Sequence, residues 1–122
     1  MNEDFVTYEL AVKLKEKGFN YPCIGHYFNN QLYIAHYLTA FHSDKNETFD
    51  APTISQVLKW LRDKYSTHIS TKPYPCEDGI MWLYEIRIFN KYKSVVVANK
   101  TGFIKEEQAN IAGIKCVLDN LI

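Results

Sequence analysis

The sequence predicts an α+β fold, a single domain ordered α-β-β-α-β-β-β-α, with a mostly antiparallel sheet and helices packed on one face. Three observations carry this expectation. Apolar residues recur at helical spacing near residues 7–17, 53–65 and 104–120. Between those segments the period falls to two, in runs rich in Val, Ile, Tyr and Phe. The links between neighbouring period-two runs are short and contain Asn or Gly, which suits hairpins rather than crossovers.

The first helix starts at Asp4 or Thr7 as N-cap, and Leu10, Ala11 and Leu14 share one face. Gly18 should end it in the left-handed C′ conformation, with Phe19 folding back on the last turn. Lys13, Lys15 and Lys17 then stand near the negative end of the helix dipole, which is a structural reason for their presence.

From Pro22 to Tyr37 the chain reads as a hairpin turning at Asn29-Asn30, two residues that tolerate positive φ. That register sets Phe28 opposite Gln31, His26 opposite Tyr33 and Cys23 opposite His36. Residues 39–50 are the most polar and least periodic stretch, expected to form a mobile loop.

Thr53 and Gln56 form a T-x-x-Q capping box after Pro52, so the second helix starts there. Ile54, Val57, Leu58, Leu61 and Tyr65 make its stripe, and Trp60 widens that stripe or borders it. A short strand is expected at 68–71 and a turn at Cys76-Glu77-Asp78-Gly79. A long strand follows at 80–89, in which Trp82, Tyr84, Ile86 and Ile88 oppose Leu83, Glu85, Arg87 and Phe89. Asn90-Lys91 should turn the chain into a third strand centred on Val95-Val96-Val97. The last helix is expected from about Ile104 to Asn120, with Glu106 and Glu107 at its positive end. Its expected stripe is Ile104, Gln108, Ile111, Ile114, Leu118 and Leu121; Gly113 within it either weakens the helix or marks a close approach to the sheet.

Composition narrows the functional classes. The 122 residues, with 47% hydrophobic and 15% aromatic content, can build a core and suit one domain, residues 1–122. Fourteen basic and fourteen acidic side chains cancel, so no global field gathers nucleic acid or anionic lipid. No apolar run approaches the roughly 18 residues of a membrane span, and Met1-Asn2-Glu3-Asp4 lacks a signal-peptide n-region. A cytoplasmic protein without a membrane partner is expected. Three cysteines, Cys23, Cys76 and Cys116, are an odd number without CxxC spacing, so reduced thiols are expected.

Cys23, His26, His36 and His42 are the one cluster with metal-ligand chemistry, but C-x2-H-x9-H-x5-H matches no zinc pattern. No metal or other cofactor is expected; a site, if built, would use Cys23 and His36. A nucleophilic cysteine beside a histidine is the catalytic alternative, and no orienting third group or oxyanion hole is evident. The adjacent carboxylates Glu77-Asp78 and Glu106-Glu107 fit a turn and a helix start. There is no phosphate loop, GxGxxG, HExxH or GxSxG motif, and no catalytic residue is assigned.

Aromatic residues interleave through the hairpin: Tyr27, Phe28, Tyr33, Tyr37 and Phe41. Residues 22–44 carry no Lys or Arg, which removes the phosphate-binding component of a nucleic-acid platform and leaves core or protein contact. Tyr27, Tyr33, Tyr37 and Phe41 are therefore the candidate partner-binding residues. The nucleic-acid alternative uses Lys13, Lys17, Lys59 and Arg62, with Lys15 and Lys64, converging from two helices. From the second helix onward the order α-β-β-β-α is that of the double-stranded RNA-binding fold, yet Lys105-Glu106-Glu107 sets two carboxylates beside one lysine. Tyr-Pro-Cys occurs at 21–23 and 74–76, each after a helix, although the helices and the tripeptides repeat at different offsets.

Val6-Thr7-Tyr8-Glu9, Leu14-Lys15-Glu16-Lys17-Gly18-Phe19, Ala51-Pro52-Thr53 with Gln56-Val57, and Trp60-Leu61-Arg62 resemble segments of a family of small uncharacterised proteins. These occur in Bacteroides and related gut bacteria, often in prophages and conjugative elements. Trp82-x-Tyr84-x-Ile86 and Glu106-Glu107 with Ala109 and Gly113-Ile114 extend the likeness over nearly the whole chain. Gln108 intervenes where that family usually places Ala directly after the acidic pair. The resemblance implies an accessory protein of a bacterium or mobile element, and no catalytic residues. The expected function is thus a non-enzymatic module that binds an unknown protein partner or forms a homodimer. The alternatives are a nucleic-acid-associated regulator and a Cys-dependent enzyme.

Overall fold

In a computed structural model, which describes residues 4–39 and 48–122, the elements run α1 (Tyr8–Glu16), β1 (Cys23–Phe28), β2 (Gln31–Thr39), β3 (Thr48–Ala51), α2 (Ile54–Tyr65), β4 (Thr67–Cys76), β5 (Gly79–Phe89), β6 (Ser94–Phe103) and α3 (Glu106–Asn120). The class is α+β and every strand pairing is antiparallel. Strand β3 is additional to the expected order, and the strands form two sheets, β2-β1-β3 and β4-β5-β6. Packing divides the chain into two compact units, residues 1–57 and 58–122, with α2 crossing the boundary.

In the first unit, Thr7 caps α1, its Oγ1 accepting from the Leu10 N–H at 3.3 Å. The helix ends in a Schellman motif. Gly18 takes φ +83°, the Phe19 N–H donates to the Leu14 carbonyl (3.0 Å), and the Gly18 N–H donates to that of Lys15 (3.1 Å). Asn29 and Asn30 at φ +48° and +67° make the tight turn between β1 and β2. Pairing follows the expected register at Phe28–Gln31 and His26–Tyr33 but then breaks, so that Cys23 stands opposite Thr39 and not His36. The break is a bulge between Cys23 and Gly25, where β2 spends several extra residues.

Gly25 is the reason the sheet can approach the N-terminal segment: a Cβ there would meet both Phe5 and the Ala51 backbone. Strand β3 occupies the C-terminal end of the stretch expected to be a loop; residues 40–47 of that stretch lie outside the described residues. Phe49 and Ala51 point to the α1 side, where Tyr8 meets Phe49 and Tyr27 edge-on at 5.6 Å. The capping box of α2 is made as expected. The Thr53 N–H donates to Gln56 Oε1 at 2.9 Å, and the Gln56 N–H to Thr53 Oγ1 at 3.2 Å.

In the second unit, Trp60 lies in the buried stripe of α2, with Tyr65 edge-on to it and Lys64 over both rings. Ser66 at φ +52° ends the helix. Strand β4 extends well past the expected 68–71, through Pro73 and Pro75. It can do so because it is a sheet edge, and both imide nitrogens, sharing a parity, face away from β5. The β5–β6 link is a four-residue loop rather than a two-residue turn, held by Asn90 Oδ1 accepting from the N–H groups of Tyr92 and Lys93.

Tyr84 and Ile86 are buried under α3, while Glu85 and Arg87 face the other way, as the alternation required. The α3 stripe is rotated from the expected one. Ala109, Gly113, Ile114, Val117 and Leu118 are buried, whereas Ile104 precedes the helix and is 70% exposed. The small residues face the sheet because the helix lies close: a Cβ on Gly113 would stand 2.9 Å from Ile69 Cγ2.

Among the described residues, no helix is long and apolar enough to cross a membrane.

Candidate functional site

Chemistry-bearing residues gather in two places in the first unit. One is the face of the β1–β2 hairpin turned away from α1, and the other is the buried end of that same face.

His26, Phe28, Gln31 and Tyr33 share this face by parity and register, with Thr48 and Asp50 of β3 beside them. Toward the turn it is exposed: Phe28 is 44% and Tyr33 53% accessible, and the Tyr33 hydroxyl donates to Gln31 Oε1 at 3.0 Å. Ile34, 41% accessible, lies one position further along β2 on the opposite face. β2 is a sheet edge, and among the described residues no strand pairs with its outer side.

The four expected contact residues therefore separate. Tyr33 is a surface residue. Tyr27 is half-buried on the α1 side, its hydroxyl donating to the Val6 carbonyl at 2.8 Å and its ring against Tyr8, and burial raises its phenol above the ordinary value. Tyr37 lies on β2, and Phe41 is outside the described residues. Phe28 is the exposed apolar companion of Tyr33 on that face, while Ile34 is exposed on the opposite one. The hairpin register could have identified Phe28, since the residue diagonal to Tyr33 across the turn shares its face.

His26 and Asp50 form the buried end, and Cys23 is buried at the start of β1. Register places His26 directly across from Asp50, with Nε2 3.8 Å from Oδ1 and both side chains at or below 10% exposure. That separation exceeds a hydrogen bond. Cys23 is fully buried, and its thiol donates to the Tyr21 carbonyl at 3.2 Å. Burial, and secondarily the negative charge of Asp50, push the Cys23 thiol up to about 12. Such a thiol is protonated at neutral pH, the opposite of an activated nucleophile. The bulge also removes the Cys23–His36 pairing on which a metal site would have rested. Among the described residues no group of three or more His, Cys, Asp or Glu is placed to hold a metal ion, and His42 lies outside them.

The residues of the nucleic-acid alternative are distributed over both units. Lys13 and Lys17 lie on the last turn and C-cap of α1, where the dipole favours cations. Lys59 and Arg62 lie on the part of α2 in the second unit, and Lys59 pairs with Asp63 at 2.8 Å. At the start of α3, Glu106 Oε2 accepts from Thr71 Oγ1 at 3.3 Å, so this carboxylate serves the helix–sheet contact. The two Tyr-Pro-Cys segments are not equivalent in place: Cys23 opens β1 and is buried, whereas Cys76 ends β4 and is exposed.

In comparisons with known proteins, no family model, no curated protein and no solved structure matches the chain.

Proposed function

We propose that the chain is a non-enzymatic protein-binding module, which associates with a partner protein or with another copy of itself through the exposed face of the β1–β2 hairpin. The observation that carries this reading is the placement of Phe28 and Tyr33, each more than two-fifths exposed, on one face of an uncharged edge hairpin. Aromatic rings offer large contact area at little conformational cost, and the absence of Lys and Arg from residues 22–44 lowers the desolvation cost of covering them. The buried, protonated Cys23 thiol supports a structural rather than a catalytic role for that residue. An accessory role for a bacterium, or for one of its mobile elements, is the setting that the family resemblance implies.

Light-scattering mass across a concentration series, together with affinity capture from the native host, tests the reading. Phe28→Ser with Tyr33→Ser should abolish the association and leave the thermal transition unchanged. Undiminished association in that variant would reject the hairpin as the contact surface.

A further inference from the structure

A second surface lies in the other unit, and it does not depend on the hairpin. Its sheet has two outer edges of different character. On β4, Pro73 and Pro75 remove backbone donors, so this edge is a poor template for another strand. On β6 there is no proline, and among the described residues no strand pairs with its outer side.

Strand β6 also exposes three consecutive valines, Val95, Val96 and Val97, at 48%, 38% and 39%. A regular strand with one covered face would bury every second one. The register shows how this run escapes: Val96 pairs with Arg87 and Ala98 with Ile86, so Val97 is an extra residue in a bulge and the alternation is reset. Beyond the strand's start, Tyr92 at the loop tip is 86% exposed.

Charge singles out the same segment. Residues 86–105 contain no Asp or Glu but five cations, Arg87, Lys91, Lys93, Lys100 and Lys105, in a chain whose total charge is zero. Arg87 is engaged internally, its Nε 2.7 Å from Glu85 Oε1. Lys91 and Lys93 flank one end of the exposed valines and Lys100 the other.

We propose that β6 is an acceptor edge for an acidic, extended segment of a partner protein, which adds to the sheet as a fourth strand. Each feature has a role in that mode: the backbone edge supplies hydrogen bonds, the valines accept apolar side chains, and the lysines meet carboxylates at both ends. A second copy of this chain is a poor occupant, because pairing β6 with β6 would join two cationic, carboxylate-free segments. A nucleic-acid strand would use the lysines, but neither the open backbone edge nor the valines.

The test uses the full chain and a fluorescein-labelled peptide of about eight residues alternating Glu and Val, the length and form of a strand-adding ligand. Fluorescence anisotropy should show binding that weakens as salt rises, with backbone amide shifts in the NMR spectrum centred on residues 94–100. Binding should weaken about tenfold or more in Lys91→Glu with Lys93→Glu, since like charges then face each other. The same peptide N-methylated at alternate residues, or with Lys in place of Glu, should not bind. The Phe28→Ser, Tyr33→Ser variant should bind as the parent does, which separates this surface from the hairpin. Equal binding of the N-methylated peptide would overturn strand addition. Failure of the Glu–Val peptide, or binding of an oligothymidylate in its place, would overturn the assignment of an acidic peptide partner.

Discussion

A Cβ placed on Gly25 would stand 2.6 Å from the carbonyl oxygen of Ala51, across the β1–β3 pairing, and 2.8 Å from the ring of Phe5. The Ala51 oxygen belongs to the backbone and cannot swing aside. Gly25→Ala should therefore destabilise the chain by about 3 kcal/mol, the upper part of the usual overpacking range. A urea titration would show this as a lower midpoint at unchanged slope.

Gly113 faces a milder version of the same constraint, because its nearest neighbour is the side chain of Ile69. Alanine at 113 would gain about 1 kcal/mol of helix propensity and lose about 1–3 kcal/mol to overpacking. Gly113→Ala is expected to lose about 1 kcal/mol net, and to stabilise the chain in an Ile69→Ala background, where the obstructing methyl is gone. A double-mutant cycle by denaturant unfolding reads both.

Cys23 should make stability depend on pH on the alkaline side. Its thiol ordinarily titrates near 9.0 and is raised to about 12 in the folded chain, so below pH 9 both states hold the proton and the full stability is present. As pH rises from 9 toward 12 the unfolded chain ionises first, and the folded state loses up to about 1.4 kcal/mol per pH unit from this group. Cys23→Ala should flatten the slope of unfolding free energy against pH in that window. In the parent, iodoacetamide should label exposed Cys76 at once and Cys23 only on unfolding, as mass mapping of the alkylated peptides would show.

The capping box gives a further expectation. Thr53→Ala removes the acceptor for the Gln56 N–H, and should lower stability by about 1 kcal/mol in thermal unfolding.

The features most legible in the sequence were those fixed by neighbouring residues. Thr53 with Gln56, Gly18 with Phe19 and Asn29 with Asn30 each carry their own hydrogen-bonding logic within a few positions, and all three motifs formed. The features that escaped depend on residues far apart. The ladder breaks between Cys23 and Gly25, where β2 takes up extra residues, and nothing local to Cys23 announces that pairing with Thr39. The rotated α3 stripe has the same origin: Ala109 and Gly113 are poor hydrophobes, and they face the sheet because they are small. Strand β3 was hidden by brevity, its only sign being Phe49 and Ala51 at alternate positions. Of the candidate contact residues, Tyr33 is the one exposed among the described residues, which composition alone could not single out. Tyr27 was not separable from it until the Val6 carbonyl supplied a partner for its hydroxyl.

The prolines of β4 also bear on how far the sheet could grow. A sheet that accepts strands on both sides can be extended without limit, each added copy presenting a fresh surface to the next. In the β4-β5-β6 sheet, Pro73 and Pro75 leave the outer side of β4 without N–H groups at two alternate positions, which disfavours growth there and leaves the β6 side as the open one. A segment added at β6 as proposed would therefore complete this sheet rather than start a stack, even though the strand displays a run of valines.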